Sequence, residues 1–536
     1  MACVKILDCT LRDGSYIVEG NFGGKAISGI IKRLQDAKID IIECGWLKNP
    51  EYKNGSTYYH VPSDIEQYLM AEKNPDITYV AMIDYNRYDI LRLPEYDGKS
   101  IDAIRVVFPK DKVNEGLALA EPIFNKGYKV FFQASNTSGY TDKEIISLIE
   151  KVNIIEPEAI SIVDTFGSMY FDELKHIIGL FVHNLKKTIK IGLHSHNNLQ
   201  LSFANAIEFT NILMNCGRDI IIDSSLCGMG RGAGNACTEL VASFLNRKYC
   251  RDYDIDIILD TIDIYMSRFM NNYEWGYSIP YYISGTYCAH VNNIAYLLRQ
   301  HKTRAKDMKN IIERLTYEKR ITYDYDNLDR VYLDYQSKEI DDMEIKNKLK
   351  EELSGKSITL ILPGKSVKEK INLVREHILQ EKTVVIGVNS VIRGYSYDYV
   401  FFSNTIRYDY AVEQKLVKFP TKLVLTSNIL QNQDTNVYIV NYNSLIYRGW
   451  KLYEVSVMML LKLLVQMKPG KISIAGWDGY DSGDINYSDL NMEVNLASGE
   501  MESFNKDLKE MIDDFRERLD DSFEIEFITP SRFDKK

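Results

Sequence analysis

No stretch of this chain approaches the ~20 consecutive apolar residues that span a bilayer, and the opening "VKILDCT" follows neither a basic head nor a small-residue cleavage site. The expectation is a cytoplasmic protein that does not enter a membrane. Basic excess is missing as well. A formal net charge of -10 argues against a sequence-independent grip on nucleic acid, which needs a basic surface to displace counterions. The eight cysteines, Cys3, Cys9, Cys44, Cys216, Cys227, Cys237, Cys250 and Cys288, show no CxxC or zinc-like spacing and stop well before the chain does. Reduced core thiols and a domain boundary not far beyond Cys288 are expected. A P-loop is absent, since GxxxxGK(S/T) occurs nowhere, and no short repeat or low-complexity segment stands out.

What is present is ordinary globular material, 45% hydrophobic and 26% charged over 536 residues, long enough for two or more domains. The first 225 residues carry eight short apolar runs: "VKILDCT" (4–10), "IDIIECGW" (39–46), "ITYVAMID" (77–84), "IDAIRVVF" (101–108), "YKVFFQAS" (128–135), "AISIVDT" (159–165), "IKIGLHSH" (189–196) and "DIIIDSS" (219–225). Between them lie amphipathic, helix-like segments such as "AISGIIKRLQDAK" (26–38), "VNEGLALAEPIFNKG" (113–127) and "DKEIISLIEKVN" (142–153). Strands alternating with helices at this spacing predict an α/β protein that opens in a (β/α)8 TIM barrel. A doubly wound open sheet is the alternative, because periodicity alone does not show closure.

From about 256 to 350 the pattern turns helical and charged, with an ambiguous register over 254–273 and a clearly amphipathic "EIDDMEIKNKLKEEL" over 339–353. A second series of strand-like runs begins at "ITLIL" and continues through "TVVIGVN" (383–389), "YVFFSN" (399–404), "KLVLTSN" (422–428), "VYIVNY" (437–442) and "KISIAGWDGY" (471–480), with a helix over 454–467. The chain therefore divides into a barrel over 1–290, a helical bridge over 291–355 and an open, Rossmann-like α/β domain over 356–536.

The polar residues bear on the choice of barrel. Arg12, Asp13, Glu43, Asp84, Gln133, Asp164, His194, His196 and Asp223 all fall at or just past the C-terminal ends of their runs. A barrel gathers those ends on one rim, where barrel enzymes keep their chemistry. In "IGLHSHNN", His194 and His196 are two apart on a strand and share a face, so both imidazoles reach one ion. Asp13 completes a two-His, one-carboxylate set with open positions, suited to a divalent ion acting on a carbonyl oxygen. A hydrogen-bonded rim cluster without a metal is the rival explanation.

Taken in order, "TLRDG" (10–14), "HSHNN" (194–198) and "GMGRGAGNACTE" (228–239) resemble the motifs of the pyruvate-type metal-dependent aldolase and lyase family, the DRE-TIM metallolyases, over roughly residues 1–290. "RDGS" and the "GAGN" loop lean toward the 4-hydroxy-2-oxovalerate aldolase branch. The resemblance implies a divalent metal, Mn²⁺ or Mg²⁺, held by Asp13, His194 and His196, with Asn235 as a further ligand. It implies that Arg12 steadies an enolate oxygen, that Glu43 supports the site and that Asp164 and Thr165 border the substrate. Tyr16 stands where that branch keeps an acid/base histidine, and Tyr282, with Tyr277 second, matches a catalytic tyrosine near the barrel mouth. The implied reaction is class II aldol cleavage or formation of a 4-hydroxy-2-keto acid from pyruvate and an aldehyde, possibly sugar-like, by a homodimer. An acyl-CoA-dependent Claisen condensation is the alternative within enzymes. A non-catalytic barrel attached to a nucleotide-binding domain is the alternative outside them.

In the second domain "ILPGKS" places Gly364, Lys365 and Ser366 between a strand and a helix, a turn able to hold an anion. With Asn389 after its strand and Asp478 in "AGWDGYDSGD" (475–484), it is similar to the nucleotide-binding half of sialyltransferase-like and pterin-diphosphokinase-like proteins, with Lys365 where those carry proline. That similarity implies a nucleotide or nucleotide-sugar ligand. Asp478 and Asp481 are candidates for Mg²⁺ or sugar hydroxyls.

Overall fold

The computed structural model describes residues 2–69, 73–301, 303–418, 420–429, 436–481, 485–489, 498–519 and 524–534. It separates into two compact units, Met1–Leu328 and Asp329–Lys536. In the first, strands β1 (Val4–Asp8), β2 (Ile41–Leu47), β3 (Thr78–Asp84), β4 (Ala103–Phe108), β5 (Lys129–Ala134), β6 (Ala159–Asp164), β7 (Lys190–Ser195) and β8 (Ile220–Ser224) overlie the eight apolar runs. All pair in parallel, and β1 bonds both to β2, with Leu7 opposite Ile41, and to β8, with Val4 opposite Ile220. The sheet is thus closed, and the open-sheet alternative falls. A two-residue strand, Tyr58–Tyr59, adds to the end of β2 outside the ring.

Side-chain alternation sorts the barrel interior into layers. Leu7, Ile41, Val80, Ala103, Phe131, Ala159 and Ile221 form an apolar cluster inside it. Two residues further along each strand, on the same inward face, stand Glu43, Arg105, Gln133, Ser161 and Asp223, all buried. The outward faces of the strands pack against the helices in one large apolar cluster.

The helix expected over 113–127 is instead two short ones, Val113–Ala118 and Ala120–Asn125. Pro122 falls in the first turn of the second, where its missing N–H leaves no bond unmade. The ambiguous stretch 254–273 is helical but changes pitch, with a π-helical Ile262–Met266 between Ile255–Thr261 and Ser267–Asn272. Among the described residues no helix is long and apolar enough to cross a membrane.

The second unit holds β9 (Ser357–Ile361), β10 (Val384–Val388), β11 (Tyr399–Phe402), β12 (Lys422–Thr426), β13 (Val437–Val440), β14 (Lys471–Ala475) and β15 (Glu524–Phe527). They form one parallel sheet in the order β13-β12-β11-β10-β9-β14-β15. Separate apolar clusters cover its two faces, one of them built around the helix Ser456–Met467, as in a doubly wound fold. The edge strand β15 and the helix Ser498–Glu517 have no counterpart among the runs read from the sequence.

One buried charge in the barrel generates a test. The Asp8 carboxylate at the end of β1 accepts from Thr10 N at 2.9 Å and Thr238 Oγ1 at 2.7 Å. Burial nevertheless raises it to about 6, outweighing those two bonds. The folded state therefore holds a proton that the unfolded chain releases between about pH 4 and 6, and the associated stabilisation is lost as the pH rises through that window. Asp8→Asn is expected to gain on the wild type by about 3 kcal/mol between pH 4 and pH 7.5 in urea unfolding. A difference that does not vary with pH would show that Asp8 keeps its charge on folding.

Candidate active site

After β1 the chain makes a single helical turn, Thr10–Asp13, whose four residues are all buried. This turn carries Arg12 and Asp13 in under the rim. His194 points inward from β7, and His196, just past it, bridges to Asn235. One ligand-type atom from each of Asp13, His194 and His196 lies within 4.8 Å of the others. The HxH spacing and the strand-end carboxylate, 181 residues apart in sequence, meet because closure sets β1 and β7 on either side of β8.

The surroundings of these three groups fit a divalent ion. His194 Nδ1 is 3.0 Å from Asp223 Oδ2, and His196 Nδ1 is 3.2 Å from the Gly234 carbonyl. Both acceptors favour a proton on Nδ1 and leave Nε2 as a lone-pair donor, the usual arrangement behind a metal-binding imidazole. Asn235 gives its Nδ2–H to Asp13 Oδ2 at 2.6 Å, while its Oδ1 is buried with no hydrogen-bond partner. An orphaned amide oxygen beside two imidazoles and a carboxylate is the donor set expected around Mn²⁺ or Mg²⁺. The loop that delivers Asn235 depends on Gly234, at φ +83°, where a Cβ would sit 1.9 Å from the Gly228 carbonyl oxygen.

The buried charges pair with one another. Arg12 Nε donates to Glu43 Oε2 at 2.8 Å and Nη1 to Asp13 Oδ1 at 2.6 Å, leaving Nη2 without an acceptor among the described residues. Arg105, fully buried on β4, donates through Nη1 to the same Glu43 oxygen at 2.8 Å and through Nη2 to Asp223. Two guanidinium groups thus face the three carboxylates of Asp13, Glu43 and Asp223, for a net charge of one negative. Burial alone would raise the Asp13 carboxyl, but Arg12, with the two histidines, holds it well below the usual carboxylate range. Burial lowers His196 to about 4, so the imidazole is neutral at physiological pH and ready to coordinate.

The residues expected from the sequence divide on these contacts. Asp13, His194, His196, Asn235, Arg12 and Glu43 come together, with Glu43 reaching the site only through the two arginines. Asp164 is turned to its own loop, accepting from Ser168 N at 2.9 Å and Met169 N at 3.2 Å, and burial raises it to about 6. Thr165 likewise receives Asn136 N at 2.7 Å. Tyr16 stands at the mouth, its ring edge-on to Trp46 at 5.9 Å. Tyr282 and Tyr277 are exposed, and neither bonds to the cluster. Arg105 is the residue that sequence reasoning passes over, although its inward position in the alternation of "IDAIRVVF" marks it.

In the second unit the expected anion turn is already filled. The Asp478 carboxylate accepts from Ser366 N at 2.8 Å and from Ser366 Oγ, so Gly364, Lys365 and Ser366 enclose the protein's own anion. Asn389 is spent between Ser456 Oγ and Ser403 N, and Asp481 pairs with Arg532. Residues 482–484 of that acidic loop lie outside the described residues.

Residues 110–266 match the HMGL-like family. The first unit thus carries an HMGL-like domain of the DRE-TIM metallolyase type. Oxaloacetate decarboxylase of Mycobacterium tuberculosis is 24% identical over 266 residues, covering 48% of this chain and 74% of that protein. 4-Hydroxy-2-oxovalerate aldolase of Pelotomaculum thermopropionicum is 27% identical over 274 residues, covering 49% and 76%. Among solved structures, the carboxyl transferase domain of Rhizobium etli pyruvate carboxylase is similar with a TM-score of 0.49 at 14% identity, over 65% of this chain and 64% of that one.

Three variants probe this arrangement. Asp13→Asn and His194→Ala are each expected to lose stoichiometric Mn²⁺, measured by elemental analysis after gel filtration, while keeping the far-ultraviolet circular dichroism of the wild type. Metal content equal to wild type in both would place the ion elsewhere. Arg105→Met strands Glu43 and Asp223 as buried charges and is expected to cost about 3–5 kcal/mol in urea unfolding. A cost under about 1 kcal/mol, no more than an exposed ion pair, would show that the two acids are not ionised together.

Proposed function

We propose that the barrel is a divalent-metal-dependent, class II aldolase that cleaves or forms a 4-hydroxy-2-keto acid, with pyruvate and an aldehyde on the other side of the reaction. The observation that carries this reading is the union of the Asp13, His194 and His196 set with a buried arginine whose Nη2 has no acceptor among the described residues. Mn²⁺ or Mg²⁺ at this position would supply Lewis-acid chemistry toward the substrate's carbonyl group. Asp13, His194 and His196 would hold it, and Asn235 Oδ1 offers a further oxygen.

The remaining work falls to the chain. Arg12, fixed by Glu43 and Asp13, points a permanent charge at the keto oxygen, where negative charge gathers as the C3–C4 bond breaks. The bonding pair passes to C3 and is shared with that oxygen as the enolate of pyruvate. The C4 hydroxyl gives up its proton, and C4 departs as the aldehyde. Tyr16 is the group we assign to that hydroxyl: burial raises its phenol above the ordinary value, so it is protonated at neutral pH, and it acts as a relay whose oxygen accepts the C4 hydroxyl proton as it passes its own proton to solvent, from which C3 of the enolate takes one to give pyruvate. Glu43 and Arg105 are positioning residues that act through Arg12 and His194.

A second reading has one observation in its favour, the oxaloacetate decarboxylase among the relatives. Decarboxylation of oxaloacetate breaks the equivalent C3–C4 bond, with CO₂ leaving in place of the aldehyde and the same enolate left behind.

Proton NMR of pyruvate in D₂O tests the shared step. Loss of the methyl signal with Mn²⁺-loaded protein is expected, abolished by EDTA and by Asp13→Asn. Arg12→Lys, which loses the fixed fork, is expected to slow exchange by roughly 10²–10³-fold. No exchange in protein that holds its metal would overturn both readings. Release of CO₂ from oxaloacetate, without cleavage of any 4-hydroxy-2-keto acid, would favour the second over the first.

A further inference from the structure

The mouth of the barrel holds cations that the protein does not pair. Arg231 lies in the loop 228–235, one residue from Gly230, where a Cβ would meet Asn235 Nδ2 at 2.4 Å and Asp13 Oδ2 at 2.5 Å. Its backbone is therefore pinned against the metal ligands. Its half-buried guanidinium bonds only to neutral partners, His290 Nε2 at 2.8 Å and Asn292 Oδ1 at 3.2 Å. His290 is neutral because burial, followed by Arg231 itself, lowers it to about 3. No carboxylate pairs with Arg231 among the described residues, whereas Arg12 and Arg105 are both tied to acids.

Arg231 is also placed on the side that a second substrate must occupy. Its Cζ lies 5.2 Å from the centroid of the Tyr16 ring. Tyr16 stands 5.9 Å from Trp46, and the Lys48 ammonium lies 5.6 Å from Trp46 and 3.3 Å from Tyr58. Lys48, half-buried just past β2, pairs with no acid among the described residues; Asp84, which acts on it electrostatically, is held by Arg87 at 3.4 Å. The four side chains form one wall, aromatic in the middle and cationic at both ends. A half-buried cation without a counter-ion costs stability, and in a chain of net charge -10 there was no shortage of acids to supply one. An anion brought by a ligand completes this wall.

We infer that Arg231, with Lys48 at the far end of the wall, binds an anionic substituent, a carboxylate or a phosphate ester, on the aldehyde half of the substrate. This rests on the aldolase reading of the barrel, and it separates the acceptor from a neutral, sugar-like aldehyde.

Charge-matched pairs of acceptors test it, condensed with pyruvate by the Mn²⁺-loaded full-length protein. Succinic semialdehyde against butanal reads the carboxylate, and glyceraldehyde 3-phosphate against glyceraldehyde reads the phosphate. In at least one pair the charged member is expected to have a kcat/KM roughly tenfold or more above the neutral one. Arg231→Ala is expected to bring that ratio toward one, mainly through KM, with partial recovery in Arg231→Lys. Lys110→Ala, which removes a rim cation already paired with Glu144 at 2.7 Å, is expected to keep it. Equal rates within both pairs, or a preference unmoved in Arg231→Ala, would overturn the inference while pyruvate exchange left the aldolase reading intact. If no aldehyde condenses, calorimetric titration with succinate and phosphoglycolate gives the same decision: binding weakened tenfold in Arg231→Ala supports the inference, and equal binding or none overturns it.

Discussion

Glu43 Oε2 receives two guanidinium groups at once, Arg12 from one side and Arg105 from the other, and the active end of the barrel depends on this oxygen. Arg12 leads on to Asp13, and Arg105 leads on to Asp223 and then to His194. Two of the three proposed ligand residues, Asp13 and His194, are therefore oriented through one buried carboxylate. Each member is too far from water for its charge to be solvated, so each is stable only while its partners stay in place. The chain commits this end of the barrel to a single arrangement in exchange for precision at the rim.

That arrangement follows from the closed sheet. The inward apolar cluster fills the barrel interior, the next inward positions on β2, β4 and β8 hold Glu43, Arg105 and Asp223, and the proposed ligands follow at the end of β7 and in the turn after β1. Parallel pairing keeps all strand ends on one side, so residues spread over more than two hundred positions of sequence converge. The loop bearing Asn235 adds a fourth donor at a place where only a glycine precedes it without collision.

Much of this was legible in the sequence. The eight barrel strands overlie eight apolar runs because buried parallel strands leave near-continuous apolar text, and the HxH pattern carried its own geometry. For Arg105 the alternation marks an inward position, but its partners were not legible, because they come from the barrel closure that sets β4 across from β2 and β8 rather than from its neighbours in the chain. The Gly364–Ser366 turn misled for a related reason: its free donors are visible in the sequence, while Asp478, 112 residues away, is what fills them. The strand "EIEF" went unread because half of its residues are charged, as befits a sheet edge. The break at Leu119 was hidden by an apolar spacing that both halves of the helix share.

The charge count at the rim has an electrostatic consequence. Two arginines against three acids leave the buried cluster with one negative charge, while Arg231 and Lys48 stand further out with no acid paired to them among the described residues. The opening is therefore graded in sign, cationic outside and anionic within, so that an anion is drawn to the outer wall and a cation to the inner cluster.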